Sequence, residues 1–271
     1  MKHVIRDLAY HVEIDGDGPP LLLLHGFTGS TDNWEPLLPR LCQAHTVVRV
    51  DLPGHGQTAL PEDVTRYNMP STAQDLSLLL HELHFSQVTL WGYSLGARLA
   101  LFFALHYSAQ VRHLLLESGS PGLADEAERI ARRANDEALA QRIERNGIGA
   151  FVQEWEHLPM WDSQSKLSVV ERQRIHEQRL RNRPVGLANS LRQIGTGAQP
   201  SLWSQLSELH ILTGFVAGAD DSKFVRIAQQ MQSHCPAAYL NIVPQAGHAV
   251  HLEQSQSVID VLLNLPATGS T

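Results

Sequence analysis

The chain has 271 residues, 43% of them apolar and 18% charged, enough to bury one sizeable core, and a single domain with an insertion is the expected organisation. Lys and Arg number 21 against 28 Asp and Glu, and the net charge of −7 argues against binding a nucleic-acid backbone. No apolar run approaches the ~18 residues needed to span a bilayer, and the first sixteen residues lack an uninterrupted apolar stretch, so a cytoplasmic protein is expected.

Only Cys42 and Cys235 are present, without Cys-x-x-Cys spacing, which reads as two reduced thiols. The 15 histidines include no His-Glu-x-x-His and no Cys/His cluster at metal spacing, so no metal site is expected.

In chain order, short β-rich runs alternate with helical patterns, the signature of a mostly parallel sheet covered by helices. Leu21 to Leu24 reads as a strand ending at His25-Gly26, and Thr46 to Val50 as a second ending at Asp51-Leu52-Pro53-Gly54-His55-Gly56. Leu76, Leu79, Leu80 and Leu83 mark a helix. Val88 to Trp91 is then a third strand, broken by Gly92, and His113 to Leu116 a fourth. These runs are continuously apolar, as in strands buried on both faces. From Gly122 to Pro200 the texture changes to stretches dense in Arg, Glu, Gln and Ala, which predicts a helical insertion. It holds eleven arginines and one lysine against eleven acids, net +1, while the remainder nets −8. Strand texture returns at Ile211 to Ala217 and Tyr239 to Val243, before a terminal helix around Val258 to Leu263. The expected division is a core of residues 1–121 and 201–271 with a helical lid at 122–200.

The sharpest local signal is Gly92-Tyr93-Ser94-Leu95-Gly96, a Gly-x-Ser-x-Gly between a strand and the helical run Ala97 to Leu105. Such a turn projects the serine hydroxyl above the sheet at the positive end of a helix. A serine hydroxyl needs a base, and the base an orienting carboxylate. His248, after the strand Tyr239 to Val243, and Asp221, after the strand Ile211 to Ala217, supply them, with Asp220 expected as a turn or capping residue and His251 as a decoy. The order Ser94, Asp221, His248 is that of the α/β-hydrolases. In that fold the backbone N–H groups of Phe27 and Leu95 converge on a substrate oxygen. His55 is expected to serve the hydrogen bonding of its own loop.

With these residues placed, the chain resembles the α/β-hydrolase superfamily from His25 to His251. Within it, the chain is similar to the family of 2-succinyl-6-hydroxy-2,4-cyclohexadiene-1-carboxylate synthases, pyruvate-eliminating enzymes of menaquinone biosynthesis. The resemblance is carried by His25-Gly26-Phe27 with Gly29-Ser30, by the elbow through Arg98, and by Glu117-Ser118-Gly119-Ser120-Pro121-Gly122-Leu123. Trp155, Pro159, Trp161 and Asp221-Ser222-Lys223-Phe224 carry it further. Ala97 stands where the family often has a second glycine. The resemblance implies a fold with a mostly parallel sheet, helices on both faces and an inserted helical lid. It implies no cofactor, a small polycarboxylate substrate, and substrate contacts from Tyr93, Arg98, Arg132, Trp155, Trp161 and Arg179, with Arg181 or Arg183 as replacements for Arg179. Guanidinium groups suit such a ligand because they bind carboxylates bidentately and stay charged in a closed site.

The implied reaction is elimination of pyruvate from 2-succinyl-5-enolpyruvyl-6-hydroxy-3-cyclohexene-1-carboxylate, with Ser94 acting as a base. Two other readings stand beside it: a serine hydrolase of esters or vinylogous carbon-carbon bonds, and a non-catalytic ligand receptor on the same fold.

Overall fold

The continuous apolar runs become the centre of one eight-stranded sheet, in the order β1-β2-β4-β3-β5-β6-β7-β8, in a computed structural model that describes residues 1–264. The strands are β1 (Lys2–Ile5), β2 (Leu8–Asp15), β3 (Pro20–Leu24), β4 (Thr46–Val50), β5 (Val88–Tyr93), β6 (Val111–Glu117), β7 (Thr213–Gly218) and β8 (Ala238–Val243). All neighbours from β4 to β8 pair in parallel, while β1 on β2 and β2 on β4 are antiparallel. The parallel core is as expected; the N-terminal hairpin is an addition. Its two-residue turn, Arg6-Asp7, has positive φ at both positions (45° and 68°) without the Asn-Gly or Asp-Gly that marks such turns in a sequence.

Side chains alternate across each strand, so the sheet divides its apolar residues between two faces. Leu22, Leu24, Val48, Val50, Leu90, Leu114, Leu116 and Phe215 pack with helices α1 (Met69–Glu82), α2 (Leu95–His106) and α6 (Ser222–His234). Leu21, Leu23, Val47, Trp91, Leu115 and Val216 pack with Trp34, Leu37 and Leu41 and with α7 (Ser255–Leu263). Truncating any one of these leucines to alanine removes buried surface and leaves a cavity, a cost of ~2–5 kcal/mol.

Between β6 and β7 the chain is helical, as its texture predicts: α3 (Glu126–Glu156), a 3-10 segment Pro159–Lys166, α4 (Val169–Leu180) and α5 (Pro184–Ile194). Helix α3 is interrupted at Gly147, whose φ of 80° and ψ of 173° are non-helical. These helices share an apolar cluster of their own, in which Ile143, Phe151 and Val152 meet Leu187 and Leu191, with Phe27 and Trp155 packed against it.

Of the boundaries that differ from the expectation, two have a local cause. Gly92 does not break β5: it pairs with Leu24 on one side and Leu116 on the other, and the strand continues to Tyr93. The glycine is required for a different reason, since a Cβ there would lie 2.3 Å from the Gly96 carbonyl oxygen. The strand expected from Ile211 begins instead at Thr213, whose hydroxyl donates to the Ile211 carbonyl in a local turn.

Candidate active site

Ser94 sits between β5 and α2 with φ 52° and ψ −106°, a conformation outside the ordinary allowed regions for a side-chain-bearing residue. Two close approaches force it. The carbonyl of Leu24 would lie 2.0 Å from a Cβ on Gly96, and the Ser94 N–H donates to the Glu117 carbonyl at 2.8 Å. The elbow is therefore wedged between β3, β5 and β6, and the hydroxyl is pushed up beyond the strand ends.

That hydroxyl lies 3.0 Å from His248 Nε2, and His248 Nδ1 lies 2.8 Å from Asp221 Oδ2. His248 is buried, and its ring contacts Phe224 edge-on at 4.6 Å and Trp161 at 5.7 Å. The carboxylate orients Nδ1–H, which leaves Nε2 to accept from the serine. Asp221 also caps α6, accepting the Phe224 N–H at 3.3 Å. Asp220 takes the turn position of its two expected roles and not the cap, and it makes an exposed ion pair with Lys166 at 2.8 Å.

The backbone donors are fixed by a hydrogen-bond relay. His25 Nε2 accepts the Leu52 N–H at 3.0 Å, so Nδ1 carries the proton and donates to the Gly26 carbonyl at 2.8 Å. The Gly29 N–H donates to the same carbonyl at 3.0 Å. In a trans peptide the C=O and the following N–H point in opposite directions, so pinning the Gly26 carbonyl aims the Phe27 N–H the other way. Gly26 packs so tightly on the elbow that a Cβ would meet the Tyr93 ring at 2.7 Å. The Leu95 N–H is at the first turn of α2, where backbone donors have no helical acceptor. Burial lowers the His25 pKa, which keeps this imidazole neutral and its relay intact. His55, 5.0 Å from His25 ring to ring, has the Pro53 carbonyl of its own loop as the one hydrogen-bond partner of its ring among the described residues, and burial and the neighbouring His25 hold its pKa well below the usual value.

Above these groups lies a cavity of about 560 Å³, a size suited to a small metabolite. Phe27, Ser94, Leu95 and His248 form its floor, and Tyr93, Arg98, Arg132, Trp155 and Trp161 all line it. Arg98 is 9% exposed and has no carboxylate within ion-pair distance among the described residues. Its Nη1 donates instead to the Ile194 carbonyl (2.8 Å) and to Gln199 Oε1 (3.1 Å), and Gln199 is held in turn by the Ser120 carbonyl. Burial, and then the nearby Arg132, lower its pKa to about 10, so it remains cationic at neutral pH. Arg132 is half-buried, lines the cavity and bonds Asp136 through Nε at 2.8 Å, which leaves its Nη groups without a protein acceptor among the described residues. Glu128 is the one acid of the α3 wall.

Arg179 is a correction. It does not reach this cavity but lies behind Trp161, with its guanidinium 4.8 Å over the indole ring and Nη1 3.0 Å from Glu156, beside a separate void of about 20 Å³. Neither replacement reaches it either: Arg181 pairs with Asp32 and Arg183 donates to the Thr58 carbonyl. The third cation in the wall is Lys223 on α6, which sequence reasoning passed over although it sits two residues beyond Asp221. The i, i+4, i+7 stripe Lys223, Ile227, Gln230 on one helix face was the available signal. No helix among the described residues is long and apolar enough to cross a membrane, and none of their His, Cys, Asp and Glu side chains cluster in threes as a metal site would require.

Residues 19–255 match the family described as alpha/beta hydrolase fold. A Bacillus subtilis (strain 168) protein whose provisional name is 2-succinyl-6-hydroxy-2,4-cyclohexadiene-1-carboxylate synthase is 42% identical over 86% of this chain and 85% of its own length. The Serratia proteamaculans (strain 568) protein of that name is 32% identical over 92% and 94%. The solved structure of MenH from S. aureus superposes with a TM-score of 0.89 at 34% identity, covering 94% of this chain and 96% of that one. The chain belongs to the α/β-hydrolase family, among relatives that carry the name 2-succinyl-6-hydroxy-2,4-cyclohexadiene-1-carboxylate synthase.

Proposed function

We propose that this protein acts in menaquinone biosynthesis, eliminating pyruvate from 2-succinyl-5-enolpyruvyl-6-hydroxy-3-cyclohexene-1-carboxylate to give 2-succinyl-6-hydroxy-2,4-cyclohexadiene-1-carboxylate. The names of its relatives support the product, and Arg98 carries the reading within this chain. A buried cation without a counter-charge is costly unless a ligand completes it. Arg98 stands one helical turn beyond Ser94, where its exposed edge faces the cavity. A cavity with Arg98, Arg132 and Lys223 on three different walls suits a tricarboxylate far better than a neutral ester.

In this reading Asp221, His248 and Ser94 form the catalytic triad. Ser94 Oγ passes its proton to His248 as it takes the proton from the carbon adjacent to the succinyl ketone. The charge moves to the ketone oxygen, received by the N–H groups of Phe27 and Leu95, where each such donor contributes ~3 kcal/mol. Collapse of the enolate breaks the ring C–O bond, and the departing pyruvate enolate is protonated at carbon by the proton returned through His248 and Ser94. No water and no cofactor enter the balance. Residues 122–200 form the lid over this site, and the core of residues 1–121 and 201–271, of which 265–271 lie outside the described residues, carries the reacting groups.

The test is incubation with the enolpyruvyl substrate and measurement of released pyruvate. Release at a rate that collapses in Ser94→Ala supports the reading. Hydrolysis of neutral esters with no pyruvate release would leave a serine hydrolase on this fold.

A further inference from the structure

Beneath the floor of the cavity lies a second acid–imidazole pair, sealed from solvent and in contact with no reacting atom. Glu117, at the end of β6, and His251, in the single helical turn Val250–Glu253, are both fully buried, and His251 Nδ1 lies 2.8 Å from Glu117 Oε1. The same oxygen accepts the His251 backbone N–H at 2.9 Å, and Oε2 accepts Trp91 Nε1–H at 3.1 Å. The Glu117 main-chain carbonyl meanwhile accepts the Ser94 N–H. One residue therefore holds the strand that delivers Ser94, the elbow itself, and the turn that begins two residues beyond His248.

Packing alone does not account for His251. Its ring lies 4.5 Å from Tyr93 and 4.7 Å from Trp34, an aromatic setting that a phenylalanine would fill, and its Nε2 has no hydrogen-bond partner among the described residues. A buried imidazole with one orphaned nitrogen is retained through what its other nitrogen does, and that nitrogen bonds Glu117. On the other side of His248, the Gly247 N–H is held at 2.7 Å by Glu253. The loop thus has an anchor before and after the histidine, but only the Glu117 anchor reaches back to the serine.

We infer that Glu117 is a positioning residue, fixing the His248 loop against the Ser94 elbow through His251 and Trp91. The inference rests on the triad reading above and not on the identity of the substrate. It is tested by the second-order rate at which a fluorophosphonate labels Ser94, together with kcat, KM and melting temperature. A misplacement of about 1 Å between reacting groups can cost ~100-fold, so Glu117→Gln and His251→Leu are expected to slow both labelling and kcat roughly tenfold to a hundredfold, with KM within about twofold. His251→Asn places an amide donor close to the position of Nδ1 and restores most of the lost rate, whatever its melting temperature. Trp91→Phe, a milder change, loses one of the three side-chain bonds and gives an intermediate rate.

Equal labelling of wild type and Glu117→Gln would overturn the inference, as would a fall in melting temperature with kcat unchanged, or His251→Asn no better than His251→Leu. Wild-type protein left unlabelled at Ser94 would overturn the triad reading and this inference with it.

Discussion

Ser94, Asp221 and His248 hang from the C-terminal ends of β5, β7 and β8, whereas Arg132, Trp155 and Trp161 come from the helical segment between β6 and β7. The two walls of the cavity are positioned by different constraints. β5 and β7, buried along their length, have their register set by neighbours on either side, and β8 at the sheet's edge has its register set by β7, so the loops that leave them start from fixed points. A helix lying over the sheet is free to rotate until its apolar stripe finds a partner, and which polar residue then faces the cavity depends on that packing. In the proposed reading the core wall therefore carries the groups that must meet to within a hydrogen bond, with Arg98 on α2 and Lys223 on α6 beside them, and the helical wall adds Arg132 and the two tryptophans.

The largest effects are expected on the core wall. Ser94→Ala and His248→Ala should each lower kcat by ~10⁴-fold or more, and the double variant should be scarcely worse than either, because the residues act as one unit. Asp221→Asn should approach the same loss, whereas Asp220→Asn, which breaks only an exposed pair with Lys166, should leave kcat within about twofold. The reverse ranking of the two aspartates would show that the acid had been misassigned.

Next come the cations. Arg98→Ala removes a buried charge-assisted contact and is expected to raise KM roughly tenfold to a hundredfold, with Arg98→Lys recovering part of it. Arg132→Ala should cost less, since its side chain is 41% exposed and already shares its charge with Asp136. If both changes left KM for the acidic substrate unaltered, the polycarboxylate reading would fall and the groups around Ser94 alone would define the chemistry.

The same contrast is visible in what the sequence discloses. Gly92-Tyr93-Ser94-Leu95-Gly96 is legible because a strained turn with two backbone approaches near 2 Å tolerates nothing but glycine at its ends, and that demand is local. The parallel sheet is legible because burial on both faces produces continuous apolar runs. Arg179 was not legible: its neighbours in sequence do not show that Glu156, 23 residues earlier, and Trp161 would turn it away from the cavity. The Arg6-Asp7 hairpin escaped for another reason, since Arg6, a residue type that commonly avoids positive φ, takes the first turn position and no glycine takes the second.

A smaller effect separates stability from activity in the core. Burial lowers the pKa of His55 and of His25, so each imidazole stays neutral in the fold while the unfolded chain takes up the proton at its ordinary value of ~6.5. The unfolded state then binds more protons, and the stability present above that value is lost as pH falls below it, at up to ~1.4 kcal/mol per pH unit for each histidine. His55→Phe should flatten the fall in melting temperature between pH 7 and pH 5 while leaving kcat at pH 7 close to wild type. His25→Phe should flatten it too but lower kcat, because the Gly26 carbonyl loses its donor. Identical acid limbs in all three proteins would exclude these histidines as the source.

The smallest expected effect tests how the helical wall and the core wall share the cavity. Arg179 and Lys223 are both cations near Trp161 and Phe224, but only Lys223 lines the large cavity. Lys223→Gln should therefore raise KM severalfold with little change in melting temperature, because its side chain is exposed and forms no ion pair among the described residues. Arg179→Gln should do the opposite. It breaks the pair with Glu156 and uncovers the Trp161 ring, and a loss of about 1 kcal/mol would lower the melting temperature by roughly 2–4 °C while KM stays within twofold. Should Arg179→Gln raise KM and Lys223→Gln leave it unchanged, the substrate must displace Trp161 on binding and open the small void behind it. The helical wall would then rearrange around its ligand while the core wall stays fixed.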